Sequence, residues 1–177
     1  MDDAIGRIAE LLAQAGVDYA LIGGHAVNVW LEPRFTADVD VTVQASPPAM
    51  ARLKAVLAAA GYAVAQEHGG APPSGPDFVR FVSVDGRVTL EVQCAKTEFQ
   101  REIVRRAAAA RDRVRVATPE DLVVMKLIAR RAKDRIDLEG LTKLPALDWD
   151  YIERWARAWG VAEHLHHLRE PPASDSE

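Results

Sequence analysis

The sequence predicts an α/β (α+β) domain, with a small mixed, twisted β-sheet flanked by helices and a helical portion at its C-terminal end. Three observations carry this prediction. Apolar and polar residues alternate in short runs near 39–43, 78–84 and 87–93, the period of a half-buried strand. Apolar residues recur at helical spacing over 2–15 and 47–60. Beyond Thr118 only helical patterns remain. The expected organisation is a core over 1–117, a helical portion over 118–169 packed on that core, and a disordered tail over 170–177 rich in Pro, Ser and acids.

Ile5, Ile8, Leu11 and Leu12 share one helical face, and Gly16 is placed to end that helix. Tyr19 to Ile22 is a short apolar strand that runs into Gly23-Gly24, and Ala26 to Leu31 reads as a short helix before Pro33. Val39, Val41 and Val43 alternate with Asp38, Asp40 and Thr42, a strand with both carboxylates on one face. A helix over 47–60 stops at Gly61, and 62–67 can form a strand. Gly69 to Pro76 is too punctuated for a regular element and reads as a connector or a lid. Asp85-Gly86 separates two β-rich arms, a strong hairpin signal. Helix over 98–110, a short strand over 113–117 and a helix opened by Thr118-Pro119-Glu120-Asp121 follow, the last carrying Lys126 and Arg130. A further amphipathic helix spans 148–159.

The chain has 177 residues, enough for one good core. No run approaches the roughly 20 apolar residues of a membrane span, and the acidic start is unlike a signal peptide, so a cytoplasmic protein without membrane contact is expected. The single cysteine, Cys94, reads as a small buried hydrophobe. The net charge of -4 is unevenly spread. Residues 1–50 hold seven acids against two bases, and 96–135 hold twelve bases against six acids. The first stretch suits a divalent cation and the second suits phosphate, although a solvated helix face with partner acids would give the same basic run.

Asp38 and Asp40, one residue apart on a strand, project from the same face roughly 7 Å apart and can converge on one cation. Two hard carboxylates with room for water and phosphate suit Mg²⁺. Gly23-Gly24 stands where a strand hands over to a helix, a junction whose backbone amides receive phosphate. Taken alone, the first pair is also an ordinary polar strand face and the second an ordinary tight turn.

Together these residues resemble a known family. Ile22-Gly23-Gly24, a short helix, then Arg34-Phe35-Thr36-Ala37 leading into Asp38-x-Asp40, is similar to the signature of the polymerase-β-type nucleotidyltransferase superfamily. Pro119-Glu120-Asp121-Leu122, Lys126-Leu127, Lys133-Asp134 and Asp137-Leu138 extend the likeness to its minimal bacterial members, the AbiEii-like toxins of toxin–antitoxin pairs. The resemblance covers roughly residues 5–141. It implies the nucleotidyltransferase fold and transfer of a nucleoside monophosphate from an NTP, ATP among the candidates, to a hydroxyl, with pyrophosphate leaving. It also implies Mg²⁺ or Mn²⁺ as cofactor, tRNA or protein as acceptor, and a cognate antitoxin as partner.

The family's third carboxylate maps onto Glu91, where most relatives carry aspartate. The resemblance thus makes Asp38, Asp40 and Glu91 the metal ligands and catalytic carboxylates, with Glu91 also able to orient or deprotonate the acceptor. Gly23, Gly24, Arg34, Thr36, Lys126 and Lys133 become the nucleotide-binding set, with Arg130 and Asp137 in support. Asp137 is also spaced to pair with Lys133 at i, i+4. Two alternatives share the fold: an aminoglycoside-type enzyme with a small-molecule acceptor, and a catalytically degenerate module that binds nucleotide or protein. A polycationic acceptor calls for an acidic acceptor site, whereas the back half here is basic. His25 reads as a locally satisfied helix-start residue, His164, His166 and His167 as a solvated face, and Trp149, Trp155 and Trp159 as packing residues.

Overall fold

The computed structural model describes residues 3–70, 75–109 and 114–169. The chain divides into two compact units, Met1–Thr118 and Pro119–Glu177. The tail over 170–177 and the middle of the expected connector or lid, 71–74, lie outside the described residues.

The N-terminal unit opens with α1 (Asp3–Gln14), whose Ile5, Ile8, Leu11 and Leu12 are buried. Gly16, at φ +65°, turns the chain into β1 (Asp18–Ile22). That strand is buried after its first residue, as a strand near the middle of a sheet must be. It runs without a loop into α2 (Gly23–Trp30), and a loop leads to β2 (Asp38–Gln44). α3 (Pro47–Ala59) starts with prolines at its first positions and with Ser46 accepting from the Ala49 amide. β3 (Tyr62–His68), β4 (Phe78–Ser83) and β5 (Thr89–Cys94) follow. α4 (Glu98–Arg106) carries a full capping box between Thr97 and Gln100, and β6 (Ala108–Ala109) and β7 (Arg115–Val116) are short.

These seven strands form one mixed sheet in the order β3-β4-β5-β2-β1-β7-β6. β2 runs parallel to β5 and β1 parallel to β7, and the remaining neighbours are antiparallel. Val39, Val41, Val43, Leu90, Val92, Val79 and Phe81 are buried, while the residues alternating with them on β4 and β5 are half-buried. Across β2, β5 and β4, therefore, one sheet face builds the core and the other carries mostly polar side chains, whereas β1 is buried on both faces.

Among the boundaries that differ from the sequence reading, three bear on the site or its frame. α4 stops at Arg106 instead of 110, because the chain there turns out to pair as β6 with β7. The hairpin closes through a wider turn than Asp85-Gly86 alone: Ser83 and Val88 still pair, and the Gly86 amide donates to the Ser83 carbonyl. Arg130 lies just past the end of its helix, at φ +53°, rather than on it. With no glycine at this stop, arginine itself takes the left-handed conformation.

The C-terminal unit is helical: α5 (Pro119–Ala129), α6 (Asp134–Leu141), α7 (Trp149–Ala158) and α8 (Ala162–Arg169). Asp148 caps α7 by accepting from the Tyr151 amide, and the Tyr151 hydroxyl donates to buried Asp121 at 2.5 Å. No helix among the described residues is long and apolar enough to cross a membrane.

Candidate active site

The polar face of β2 is set by the strand's two-residue period. Val39, Val41 and Val43 point into the core, so Asp38, Asp40 and Thr42 must share the opposite face. Exposure falls along this row: Asp38 is exposed, Asp40 half-buried, and Thr42 fully buried with its hydroxyl donating to Gln93 Oε1 at 3.1 Å. The open end of the row is the end that carries the carboxylates.

The two glycines are there for room as well as for conformation. Gly23 sits at φ +67°, and a Cβ on it would lie 2.9 Å from Asp40 Cβ, 2.7 Å from its Cγ and closer still to a carboxylate oxygen. Because Ile22 and Asp40 are register partners on β1 and β2, the start of α2 is laid directly against the Asp40 side chain. Any side chain at Gly23 would displace that carboxylate. Gly24 plays the same part toward Thr36: a Cβ there would lie 2.5 Å from Thr36 Oγ1 and 2.9 Å from its Cβ. The N-cap residue of α2, Ile22, makes no side-chain cap hydrogen bond, and this end carries first-turn backbone amides and the positive pole of the helix.

The loop between α2 and β2 is held by Asn28, a residue the sequence reading passed over. Its amide nitrogen donates to the Arg34 carbonyl at 2.7 Å, and its oxygen accepts from the Arg34 amide at 3.1 Å. Gly24, Thr36, Arg34, Asp40 and Asp38 are thus brought together by three adjoining elements. Phe35, next to the pinned Arg34, is 91% exposed.

Glu91 is the direct register partner of Asp40 on β5 and lies on the same face. Its carboxylate, however, is taken by Arg80 of β4: Nε and Nη2 donate to the same oxygen, Oε1, at 3.0 and 2.5 Å. Among the described residues no three carboxylate, imidazole or thiolate groups are gathered closely enough to hold a metal ion. The three expected ligands, Asp38, Asp40 and Glu91, stand on one face of the sheet. Asp38 and Asp40 fit Mg²⁺ that keeps water and phosphate ligands, whereas Glu91 is turned to a guanidinium across the strand pair. Arg80 was missed, although the Asp85-Gly86 turn signalled it: a hairpin centred there sets residue 80 opposite residue 91.

Lys126, Lys133, Arg130 and Asp137 belong to the C-terminal unit. Lys126 is 4% exposed, and its Nζ donates to Asp134 Oδ1 at 3.0 Å and Asp137 Oδ2 at 2.6 Å. Asp137 therefore pairs with Lys126 and not with Lys133, because Lys133 precedes α6 on its exposed side while Asp137 turns inward. Burial pushes the Asp134 carboxyl up, but hydrogen bonds from Arg131 and Lys126 outweigh it and hold the group at about 2. A cavity of about 760 Å³ in this unit is lined by Lys126, Arg130, Arg131, Arg135 and His164, with Leu138 and Leu168 as apolar wall. In the basic run, Arg101 and Arg105 pair with Glu98 and Glu102 on their own helix, and Arg115 donates to the Val104 carbonyl. Arg111 and Arg113 lie outside the described residues. Cys94 is buried, which pushes its thiol up to about 11 and makes it inert.

Comparison with known proteins agrees with this fold. The AbiEii family, described as nucleotidyl transferase AbiEii toxin of a Type IV TA system, matches residues 10–148. No curated protein matches the sequence. Among solved structures, the chain is similar to an antigenic nucleotidyltransferase-like protein from Paracoccidioides brasiliensis, with TM-score 0.64 and 17% identity over 95% of this chain and 87% of that one. It is also similar to the antibiotic-resistance factor ANT(2'')-Ia, with TM-score 0.58 and 16% identity over 94% and 99% of the two chains. JHP933 from Helicobacter pylori gives TM-score 0.52 and 19% identity over 94% and 90%. At these identities the structures share the nucleotidyltransferase fold.

Proposed function

The chain belongs to the AbiEii family of nucleotidyltransferase toxins, and from that premise we propose that it moves a nucleoside monophosphate from an NTP to a hydroxyl of a macromolecule, tRNA or protein, in a reaction that needs Mg²⁺ or Mn²⁺. The observation that carries this reading is the shared face of Asp38 and Asp40, kept clear by a glycine at position 23 that leaves no space for a side chain beside Asp40. Asp38 and Asp40 would hold the ion, which would supply charge neutralisation at the phosphates.

The protein's own residues do the rest. The first-turn amides of α2, from Gly23 and Gly24, face phosphate oxygens, and Thr36 and Arg34 hold the nucleotide from the pinned loop. Arg34 adds positive charge where the leaving pyrophosphate accumulates negative charge. Glu91 orients the acceptor hydroxyl through Oε2, the oxygen not bonded by Arg80, and takes its proton as the new O–P bond forms and the bond to pyrophosphate breaks. In the C-terminal unit the proposed role of Lys133 and Arg130, both exposed, is to present positive charge to phosphate, while buried Lys126, held by Asp134 and Asp137, adds to the positive field behind them. Control of the activity by a cognate antitoxin is part of the same proposal.

The test is metal-dependent incorporation of labelled NTP, with total tRNA, cell proteins and an aminoglycoside offered side by side. Asp38→Ala and Asp40→Ala are each expected to lower incorporation on the order of a thousandfold, the several kcal/mol a metal ion supplies. Equal labelling by wild type and both variants, or labelling that survives chelation of metal, would sink the proposal.

A further inference from the structure

The sheet face that carries the aspartates continues beyond Glu91. Register pairing extends the row Asp40–Glu91 to Arg80 on β4 and Gln66 on β3, and a neighbouring row runs Thr42, Gln93, Phe78, His68. Strands lie about 4.8 Å apart, so Phe78 and His68 stand roughly 10 and 14 Å across the sheet from β2. β3 is the edge strand, and His68 and Gln66 are exposed on it, with Phe78 and Arg80 half-buried beside them.

The side chains at this outer end form a shelf. The rings of His68 and Phe78 lie 6.2 Å apart at their centroids with 25° between their planes. The Arg80 guanidinium stands 5.9 Å from the Phe78 ring centroid, with its other edge on Glu91. A half-exposed aromatic, an exposed imidazole and a guanidinium held at one level on an open sheet face do nothing for the core, which lies on the other face. Rings and guanidinium planes on an open sheet are suited to unstacked bases, and stacking of this kind takes any base.

Resting on the nucleotidyl-transfer reading above, we propose that the β5–β4–β3 face is the acceptor platform, on which unpaired terminal nucleotides of an RNA stack against Phe78 and His68. Arg80 meets the backbone phosphate, and the strand's terminal hydroxyl is led along the row toward Glu91 and Asp40. Arg80 thereby links the acceptor to the carboxylate that orients it.

The experiment measures binding of a fluorescein-labelled single-stranded RNA to the full-length protein by anisotropy, without NTP or metal, beside the labelled-NTP assay. Phe78→Ala and His68→Ala are each expected to weaken RNA binding about tenfold, the loss of one stacking contact, while Phe78→Tyr stays within about twofold. Val64→Ala, on the same edge strand but facing the other way, is expected to bind as wild type does. His68→Ala alters an exposed position, so it keeps the test valid should Phe78→Ala fail to fold. Wild-type binding by both alanine variants overturns the platform, as does absence of RNA binding by the wild type or labelling of protein in place of RNA. RNA labelled equally by wild type and Phe78→Ala removes the platform and leaves nucleotidyl transfer standing. RNA binding that depends on Phe78 and His68, with no incorporation into any acceptor, leaves the platform and removes the catalytic reading.

Discussion

Replacing Gly23 with alanine separates the two reasons for glycine at the site, because the chain contains its own control. Gly16 and Gly23 both sit at positive φ, +65° and +67°. A Cβ at Gly16 would meet nothing within 4 Å, whereas one at Gly23 would lie 2.7 Å from Asp40 Cγ and 2.9 Å from Asp40 Cβ. Gly16→Ala therefore costs only the left-handed conformation, about 1–2 kcal/mol. Gly23→Ala carries that cost plus the overlap with Asp40, relieved by forcing the carboxylate off its rotamer or by shifting the backbone. That adds roughly 1–3 kcal/mol. Chemical denaturation of the two variants measures the difference, and labelled-NTP incorporation measures its consequence at the site. Gly23→Ala is expected to be the less stable by that margin and to lose activity about as far as Asp40→Ala, while Gly16→Ala keeps wild-type activity. Equal stability and equal activity of the two variants would refute the argument that this glycine makes room for the carboxylate.

Two further predictions concern the C-terminal unit. Lys126→Met removes the ammonium shared by Asp134 and Asp137 in a buried setting, and should cost about 3–5 kcal/mol by thermal or denaturant unfolding. The double variant Lys126→Met/Asp137→Leu, which also removes one of the stranded charges, should regain part of that loss. Asp134 is held at about 2 in the folded chain against an ordinary 3.8, so its carboxylate stabilises the unit fully above about pH 4, and the contribution is lost as pH falls toward 2. Melting temperature measured over that range should fall more steeply for wild type than for Asp134→Asn, and parallel curves would count against the assignment.

Local rules were enough for much of the fold. The face of α1, the prolines that open α3 and α5, and the alternation along β2 each depend on neighbours within one turn or one strand. Alternation alone settled that Asp38 and Asp40 would share a face. The hairpin signal at Asp85-Gly86 was enough to set the register of β4 on β5. It was not enough to show that Arg80 would engage Glu91, since that depends on both side chains lying on the open face.

What the sequence by itself determined was the pairing of Gly23-Gly24 with Asp-x-Asp, and with it the family, because a motif is a matter of residue type and spacing. The tertiary structure decided what the motif is for physically. Gly23 lies against Asp40 only because β1 and β2 are antiparallel neighbours with Ile22 opposite Asp40. Glu91 stands beside Asp40 through a parallel pairing that no local pattern encodes, and Lys126 meets Asp134 and Asp137 across the corner between α5 and α6. Spacing along the chain fixes which face a side chain takes, and only the packing of distant segments fixes what it meets there.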